Sequence, residues 1–224
     1  MRLKFTSLNC KILLIELLML CSSLIAVAQN NQFQFSHLDI STGLSHNNVT
    51  SIFKDDKGFI WFGTLSGLNR YDGYKFKVYK HELNDSTSLD DDYIVSILRG
   101  PYGKLWIETR NGYNIYDPVT EKFGHDITGF LHTIGIPDRL LTTIKEDKDG
   151  NFWFLHVSQG LFKYNPSTKK TVRLTHMDAD TSSISNNSVS DLAQDSKGNI
   201  WLAYRSGNLE RMNPKTLKIT YRSR

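Results

Sequence analysis

The pattern of apolar and polar positions repeats four times between residues 49 and 221. Each unit holds a tryptophan three residues after a glycine, and successive tryptophans lie 45, 47 and 48 residues apart. A fixed period of this length is typical of repeat architectures, in which each unit is one supersecondary motif. The glycines are Gly58, Gly103, Gly150 and Gly198, and the tryptophans are Trp61, Trp106, Trp153 and Trp201.

Turn signals divide each unit into four segments of strand length. In three of the units an aspartate precedes the glycine by three residues, as Asp55 precedes Gly58. Such an aspartate accepts from nearby backbone N–H groups and the glycine supplies a positive φ, so a tight turn is predicted there. A second glycine follows the tryptophan, and an Asp or Asn closes the third segment. We therefore expect four antiparallel strands in each unit.

The second segment of each unit is apolar almost without alternation, as in Ile60-Trp61-Phe62. A strand exposed on one face alternates apolar and polar residues, so a continuous apolar run indicates that both faces are covered. Four-stranded sheets stacked face to face make a β-propeller. The sequence predicts an all-β propeller with its tryptophans packed between blades, and blades at about 44–80, 89–124, 138–174 and 184–221.

The N-terminus has the features of an export signal, which places the protein in the periplasm. Arg2, Lys4 and Lys11 precede an apolar stretch, which ends in the small-residue site Ala26-Val27-Ala28. We predict a signal peptide over 1–28, with an uncleaved anchor as the alternative. Both cysteines of the chain lie inside this segment, so the mature chain has no disulfide and no thiolate.

Charge and composition limit the classes of partner and cofactor that we expect this chain to bind. The formal net charge is +4, and removing the basic leader brings it close to neutral without a basic stripe, which argues against nucleic acid. The seven histidines show no metal-ligand spacing, and we expect neither a metal nor a cofactor.

Residues 29–43 precede the first blade and include a strand-like segment, Phe33–Leu38. In propellers such a strand commonly completes the last blade and closes the ring. The blade that it would complete is missing from this sequence, so we expect an open N-terminal portion of a larger propeller. A ring closed by four blades is the alternative.

Four motifs together resemble the two-component regulator propellers, the periplasmic sensor regions of hybrid histidine kinases in Bacteroidetes. They are the Gly-Leu-Ser-x-Asn-x-Val entry at Gly43–Val49, the hairpin Asp55–Thr64, the Gly-Leu-x-Arg-Tyr-Asp-Gly run at Gly67–Gly73 and the inter-blade Asn84–Leu89. The resemblance covers about the whole chain from Gln29 to Arg224.

This resemblance implies a ligand-sensing module, often for oligosaccharides, with the remaining blades and a kinase region as partners in a longer protein, and a homodimer as one arrangement. It does not imply that this chain is itself an enzyme, because no kinase region is present in it. Two alternatives stay open: a secreted propeller enzyme acting on glycans, and a non-functional truncated remnant of a sensor.

Propeller topology predicts which surface holds a ligand. The turns between second and third strands lie on the same face as the long connections between blades, and variable loops on a rigid scaffold commonly carry binding. Forked donors, amides and an aromatic ring on these turns suit a sugar or a uronic acid. The candidate ligand-binding residues are Arg110, Asn111, His156, Tyr204 and Arg205. We also expect Glu108 to pair with Arg110.

Overall fold

The structure is a computed structural model that describes residues 35–223 and, ahead of them, Glu16. The signal peptide predicted over 1–28 lies outside the described residues apart from Glu16. Within the described part of the chain, no helix is long and apolar enough to cross a membrane.

Sixteen strands form four antiparallel sheets within residues 35–223, and each sheet contains four consecutive strands paired in sequence order. The propeller-blade architecture predicted from the tryptophan period is thus confirmed. The first sheet contains β1 (Val49–Lys54), β2 (Ile60–Thr64), β3 (Gly67–Tyr71) and β4 (Phe76–Tyr79); the second β5 (Ile94–Arg99), β6 (Leu105–Thr109), β7 (Gly112–Asp117) and β8 (Lys122–Gly124); the third β9 (Leu141–Glu146), β10 (Phe152–His156), β11 (Gly160–Asn165) and β12 (Lys170–Leu174); the fourth β13 (Asp191–Gln194), β14 (Ile200–Ala203), β15 (Leu209–Met212) and β16 (Ile219–Arg222).

The segment ahead of the first sheet differs from the prediction. Residues 35–38 have no regular secondary structure, and Ile40–Thr42 form a short 3-10 helix. Asp39 caps this helix through the N–H groups of Ser41 and Thr42, and Gly43 ends it with a φ of 106°. Residues 35–43 therefore form an irregular segment and a capped turn, and not the extended strand that we predicted over 29–43. Residues 29–34 lie outside the described part of the chain.

The connections between sheets are more ordered than the irregular loops that the sequence suggested. The second connection contains a helix, α1 (Ile127–Thr133), which buries Ile127 and Leu131 against the second and third sheets. The protein is therefore mostly rather than entirely β. The first and third connections share one conformation, in which a histidine Nδ1 lies 2.7–2.8 Å from the carbonyl oxygen of the residue eight positions later (His81 with Leu89, His176 with Ile184).

Three apolar cores lie between successive sheets, and a tryptophan occupies each of them. Trp61, Trp106 and Trp153 are at most 1% exposed, as predicted for packing between blades. The turn aspartate before Trp153 also accepts from its indole, with Asp147 Oδ2 2.9 Å from Nε1. This bond satisfies the one polar atom that burial of an indole would otherwise leave unpaired.

The second unit has Gly100 where the others have this aspartate, and the structure explains the departure. A Cβ on Gly100 would lie 2.2 Å from the Trp106 ring, so the indole occupies the space that any side chain would need. A glycine is therefore required wherever the tryptophan takes this position.

The first and last sheets each leave one face uncovered. Trp201 is only partly buried, and Leu209 and Tyr221 beside it are 43% and 48% exposed. At the other end Ile52 is 65% exposed, whereas its counterparts in the later sheets are buried. Those counterparts are Ile97, Ile144 and Leu192. Within residues 38–223 the blades therefore do not close into a ring.

This difference in burial predicts that Trp153 and Trp201 contribute unequally to the free energy of unfolding. Trp153→Ala should lower the free energy of unfolding by about 3–5 kcal/mol, because it empties a closed core. Trp201→Ala should cost less than about half as much, because a partly exposed side chain gains less from burial. Urea unfolding followed by circular dichroism measures both values; equal losses would contradict this account of the end sheet.

Candidate functional site

A polar cluster lies where the second strand of each sheet ends, and it joins that sheet to the connection leading into it. We call it the entry clip. In the first sheet the Thr64 and Ser45 hydroxyls lie 2.9 Å apart, and Asn69 Oδ1 accepts from Ser45 N at 2.8 Å. The second sheet builds its entry clip in the same way from Asp90, Thr109 and Asn114.

His156 occupies the threonine position of the third entry clip. Its Nε2 lies 3.0 Å from Asp138 Oδ1, and its Nδ1 accepts from the N–H groups of Ser158 and Gln159. The ring is 1% exposed. Both nitrogens are therefore used inside the protein, and the structure gives this candidate ligand residue a role in holding its loop, because no polar atom of the ring is left for a ligand.

Tyr204 occupies the same position in the fourth sheet, opposite a buried carboxylate. Glu210 is 1% exposed; its Oε2 accepts from Tyr204 Oη at 2.5 Å and from Ser185 N at 3.2 Å, and its Oε1 accepts from Arg222 Nε at 2.5 Å. Burial raises the pKa of Tyr204 above its usual range, and the Glu210 carboxylate adds to this. Burial also opposes ionisation of Glu210, but the hydrogen bonds from Tyr204 and Arg222 outweigh it and hold its pKa below the usual value.

Arg110 and Asn111 lie on the exposed turn of the second sheet. The Arg110 guanidinium lies over the Tyr93 ring, 3.9 Å from its centroid, and Asn111 donates to a backbone carbonyl of the preceding connection. The pairing expected between Arg110 and Glu108 is not the one found. Glu108 instead accepts from Ser96 Oγ at 2.7 Å, because the two residues face each other across β5 and β6.

A cleft of about 590 Å³ opens between the third and fourth sheets, on the face that carries the entry clips. The Tyr204 side chain lines it, with the β14–β15 turn on one side. Within residues 35–223, several of its polar side chains form no hydrogen bond. These side chains are Thr142, Ser190, Arg205, Ser206 and Asn208. Donors and acceptors that have no partner within the described protein and converge on one concave surface are what a polar ligand requires.

Comparison with known proteins identifies the repeat. The family described as "two component regulator propeller" matches residues 43–66 and 183–206. These segments include Ser45 and Thr64 of the first entry clip, and Ser185 and Tyr204 of the fourth. In these two segments the chain is similar to the two-component regulator propeller family.

The proteins that this chain matches are much longer than the chain itself. Histidine kinase P4 of Formosa agariphila is 41% identical over 58 residues, which are 26% of this chain and 4% of that protein. The extracellular domain of the hybrid two-component system BT3049 of B. thetaiotaomicron is 26% identical, with a TM-score of 0.45 over 83% of this chain and 31% of that one.

A further solved structure supports the fold alone. PorZ, a bacterial surface component of the type-IX secretion system of Porphyromonas gingivalis, is 14% identical to this chain, with a TM-score of 0.53. The match covers 88% of this chain and 30% of PorZ. The chain thus spans about a third or less of each of these proteins.

The structure brings only part of the predicted site together. Tyr204 and Arg205 line the cleft, whereas Arg110 and Asn111 belong to the second sheet and do not line it. Sequence reasoning missed seven other polar residues of the cleft. A signal was present, because serine and asparagine dominate residues 182–190 just ahead of β13. The residues missed are Thr142, Ser185, Asn186, Ser188, Ser190, Ser206 and Asn208.

The buried carboxylate of the fourth entry clip predicts a pH-dependent stability. Glu210→Gln should lower the free energy of unfolding at pH 7 by about 1–3 kcal/mol, because charge-assisted hydrogen bonds are lost. Since the folded pKa of Glu210 lies below its unfolded value, this stabilisation is present above the unfolded pKa and is lost as pH falls through the folded pKa.

Urea unfolding from pH 7 down to pH 3 measures the effect, and the wild type and Glu210→Gln should converge at the acid end. Glu82→Gln, which changes an exposed carboxylate, is the matched control and should differ little from the wild type at any pH. If the free energy of unfolding of Glu210→Gln stays below that of the wild type by the same amount at every pH, the substitution has removed packing rather than a charge-assisted interaction.

Proposed function

We propose that this regulator propeller is the ligand-binding part of a periplasmic sensor, and that it binds an oligosaccharide in the cleft between its third and fourth sheets. The observation that carries this proposal is the set of five unpaired polar side chains on that cleft. Sugars present many hydroxyl groups, each of which donates and accepts, and a cleft with several free hydroxyls and an amide can pair with them.

The charge of the cleft indicates which class of sugar it would bind. Arg205 is the only charged side chain among its lining residues within the described chain. A guanidinium recognises a carboxylate through two parallel hydrogen bonds. We therefore propose a uronic acid or a similarly acidic sugar, with its carboxylate on Arg205 and its hydroxyls towards Ser206, Asn208 and Ser190.

Binding without turnover is the expected chemistry. Glycoside hydrolysis uses two carboxyl groups placed on either side of the bond that breaks. Neither Asp nor Glu lines the cleft within residues 35–223, and Glu210 below it is held by Tyr204 and Arg222. This supports a sensor over a glycan-degrading enzyme. Further blades and a kinase region of a longer protein are the partners that we propose for signalling.

Isothermal titration with the exported chain tests this function, using trigalacturonate as the acidic probe and the corresponding neutral galactose trimer beside it. Arg205→Ala should weaken binding of the acidic probe by about ten-fold or more, because one charge-assisted interaction is lost. Binding of the neutral trimer should change little.

Arg110→Ala is the matched control, because Arg110 follows the entry-clip residue of the second sheet as Arg205 follows that of the fourth. It should leave the affinity unchanged, since Arg110 lies outside the cleft. An equal loss of affinity in both variants would show that the ligand does not bind in the cleft. Release of shorter sugars from the probe would favour the alternative of a glycan-degrading enzyme. A folded chain that binds neither trimer would contradict the proposed ligand class.

A further inference from the structure

A second cleft, of about 490 Å³, lies between the third and fourth sheets at the opposite end of the strands from the entry clips. We call it the turn cleft. The β9–β10 turn forms one wall, and the β13–β14 and β15–β16 turns form the other. Within residues 35–223 three lysines and one aspartate are its charged lining residues, so the turn cleft has an excess of positive charge. They are Lys148, Lys197, Lys215 and Asp149.

Most of the side-chain donors on the turn cleft have no partner within the described protein. The ammonium groups of Lys197 and Lys215 and the hydroxyl of Ser196 form no hydrogen bond or ion pair there. The third ammonium is held in place, because Lys148 Nζ donates to the carbonyl oxygen of Asp195 at 2.9 Å. Unpaired cationic donors that line one concave surface favour an anionic ligand.

The equivalent edge of the first and second sheets neutralises its cations with carboxylates. The Arg99 guanidinium donates two hydrogen bonds to the Asp56 carboxylate, at 2.6 and 2.5 Å. Lys104 Nζ lies 3.2 Å from Asp117 Oδ2. Asp56 belongs to the turn between the first two strands of its sheet, and Asp117 begins the turn between the last two. Both turn positions therefore supply a carboxylate at this interface.

Neither of these carboxylates has a counterpart at the turn cleft. Lys148 stands at the position of Asp56 in the repeat, and Asn213 stands at the position of Asp117. Gln194 takes the place of the arginine, and its Oε1 accepts from the backbone N–H of Lys148 at 2.7 Å. The lysines of the turn cleft thus lack the ion-pair partners that the same positions supply between the first two sheets.

We propose that the turn cleft binds a small molecule that carries a sulfate or phosphate ester, with the oxyanion on Lys197 and Lys215. An ammonium is a compact charge with three donors, which suits a tetrahedral oxyanion, whereas the planar fork of Arg205 in the other cleft suits a carboxylate. The volume of about 490 Å³ lies in the usual range for small-molecule sites and exceeds what a bare ion fills. This site is independent of the oligosaccharide proposed for the other cleft.

Isothermal titration of the exported chain tests this site, using glucose 6-sulfate and glucose 6-phosphate as charged probes and glucose as the neutral one. Both charged probes should bind, and glucose should not. Lys197→Gln and Lys215→Gln should each weaken binding of the charged probes by about three-fold, as expected for one exposed ion pair. The double variant should weaken it by about ten-fold.

Asp149→Asn tests the same electrostatics in the opposite direction. Its carboxylate forms no hydrogen bond or ion pair within the described protein and lines the turn cleft. Removing its charge should strengthen binding of both charged probes by about two-fold, because the repulsion between like charges is lost. Raising the ionic strength should weaken binding in every variant that still binds.

Lys57→Gln is the matched control, because Lys57 follows the turn aspartate of the first sheet by two residues, as Lys197 does in the fourth. It should leave the affinity unchanged, and so should Arg205→Ala. All the substituted side chains are at the surface, so circular dichroism should show an unchanged fold. Glucose binding as tightly as its esters, or a folded chain that binds neither ester, would overturn the proposal. An equal loss in Lys57→Gln, or a loss confined to Arg205→Ala, would also overturn it.

Discussion

Burial of one indole between successive sheets is the interaction on which the rest of this structure depends. A four-stranded sheet of this size has two apolar faces and cannot hide either by itself, so each sheet is stable only where a neighbour covers it. Trp153 fills the gap between two sheets, and Asp147 satisfies its ring nitrogen from a turn within the same sheet. One residue type at one position therefore sets both the spacing between sheets and the conformation of the turn that precedes it.

The entry clips place the candidate site within this framework. In the first two sheets the clip is small and is built on a fully buried asparagine, Asn69 or Asn114, and the second clip adds the Asp90 carboxylate. The fourth clip holds a tyrosine and a glutamate instead, and Arg222 from the edge strand balances the charge and also donates to the carbonyls of the preceding connection. The third and fourth entry clips hold a histidine and a tyrosine where the first two hold a threonine. The cleft lies between these same two sheets.

Most of the fold could be predicted from the sequence, because the tryptophan period and the Asp-x-x-Gly turns are local signals repeated four times. Helix α1 was missed since its two buried residues, Ile127 and Leu131, span a single turn that contains Gly129, a weak helix former. The role of His156 depends on Asp138, eighteen positions earlier, and no local pattern indicates which partner a loop residue finds. The place of Arg205 on the turn after β14, where it lines the cleft, follows directly from the repeat.

The same reasoning explains why departures from a repeat tell more about function than the repeat itself. The tryptophan that every sheet shares is needed for packing, and in three of the sheets its indole N–H is already donated to the turn aspartate. A ligand needs unpaired donors, and a stable fold tolerates these only where solvent still reaches them. Arg205 and Asn208 meet both conditions because the fourth sheet pairs its buried polar groups among Tyr204, Glu210 and Arg222 and leaves the turn above them unpaired.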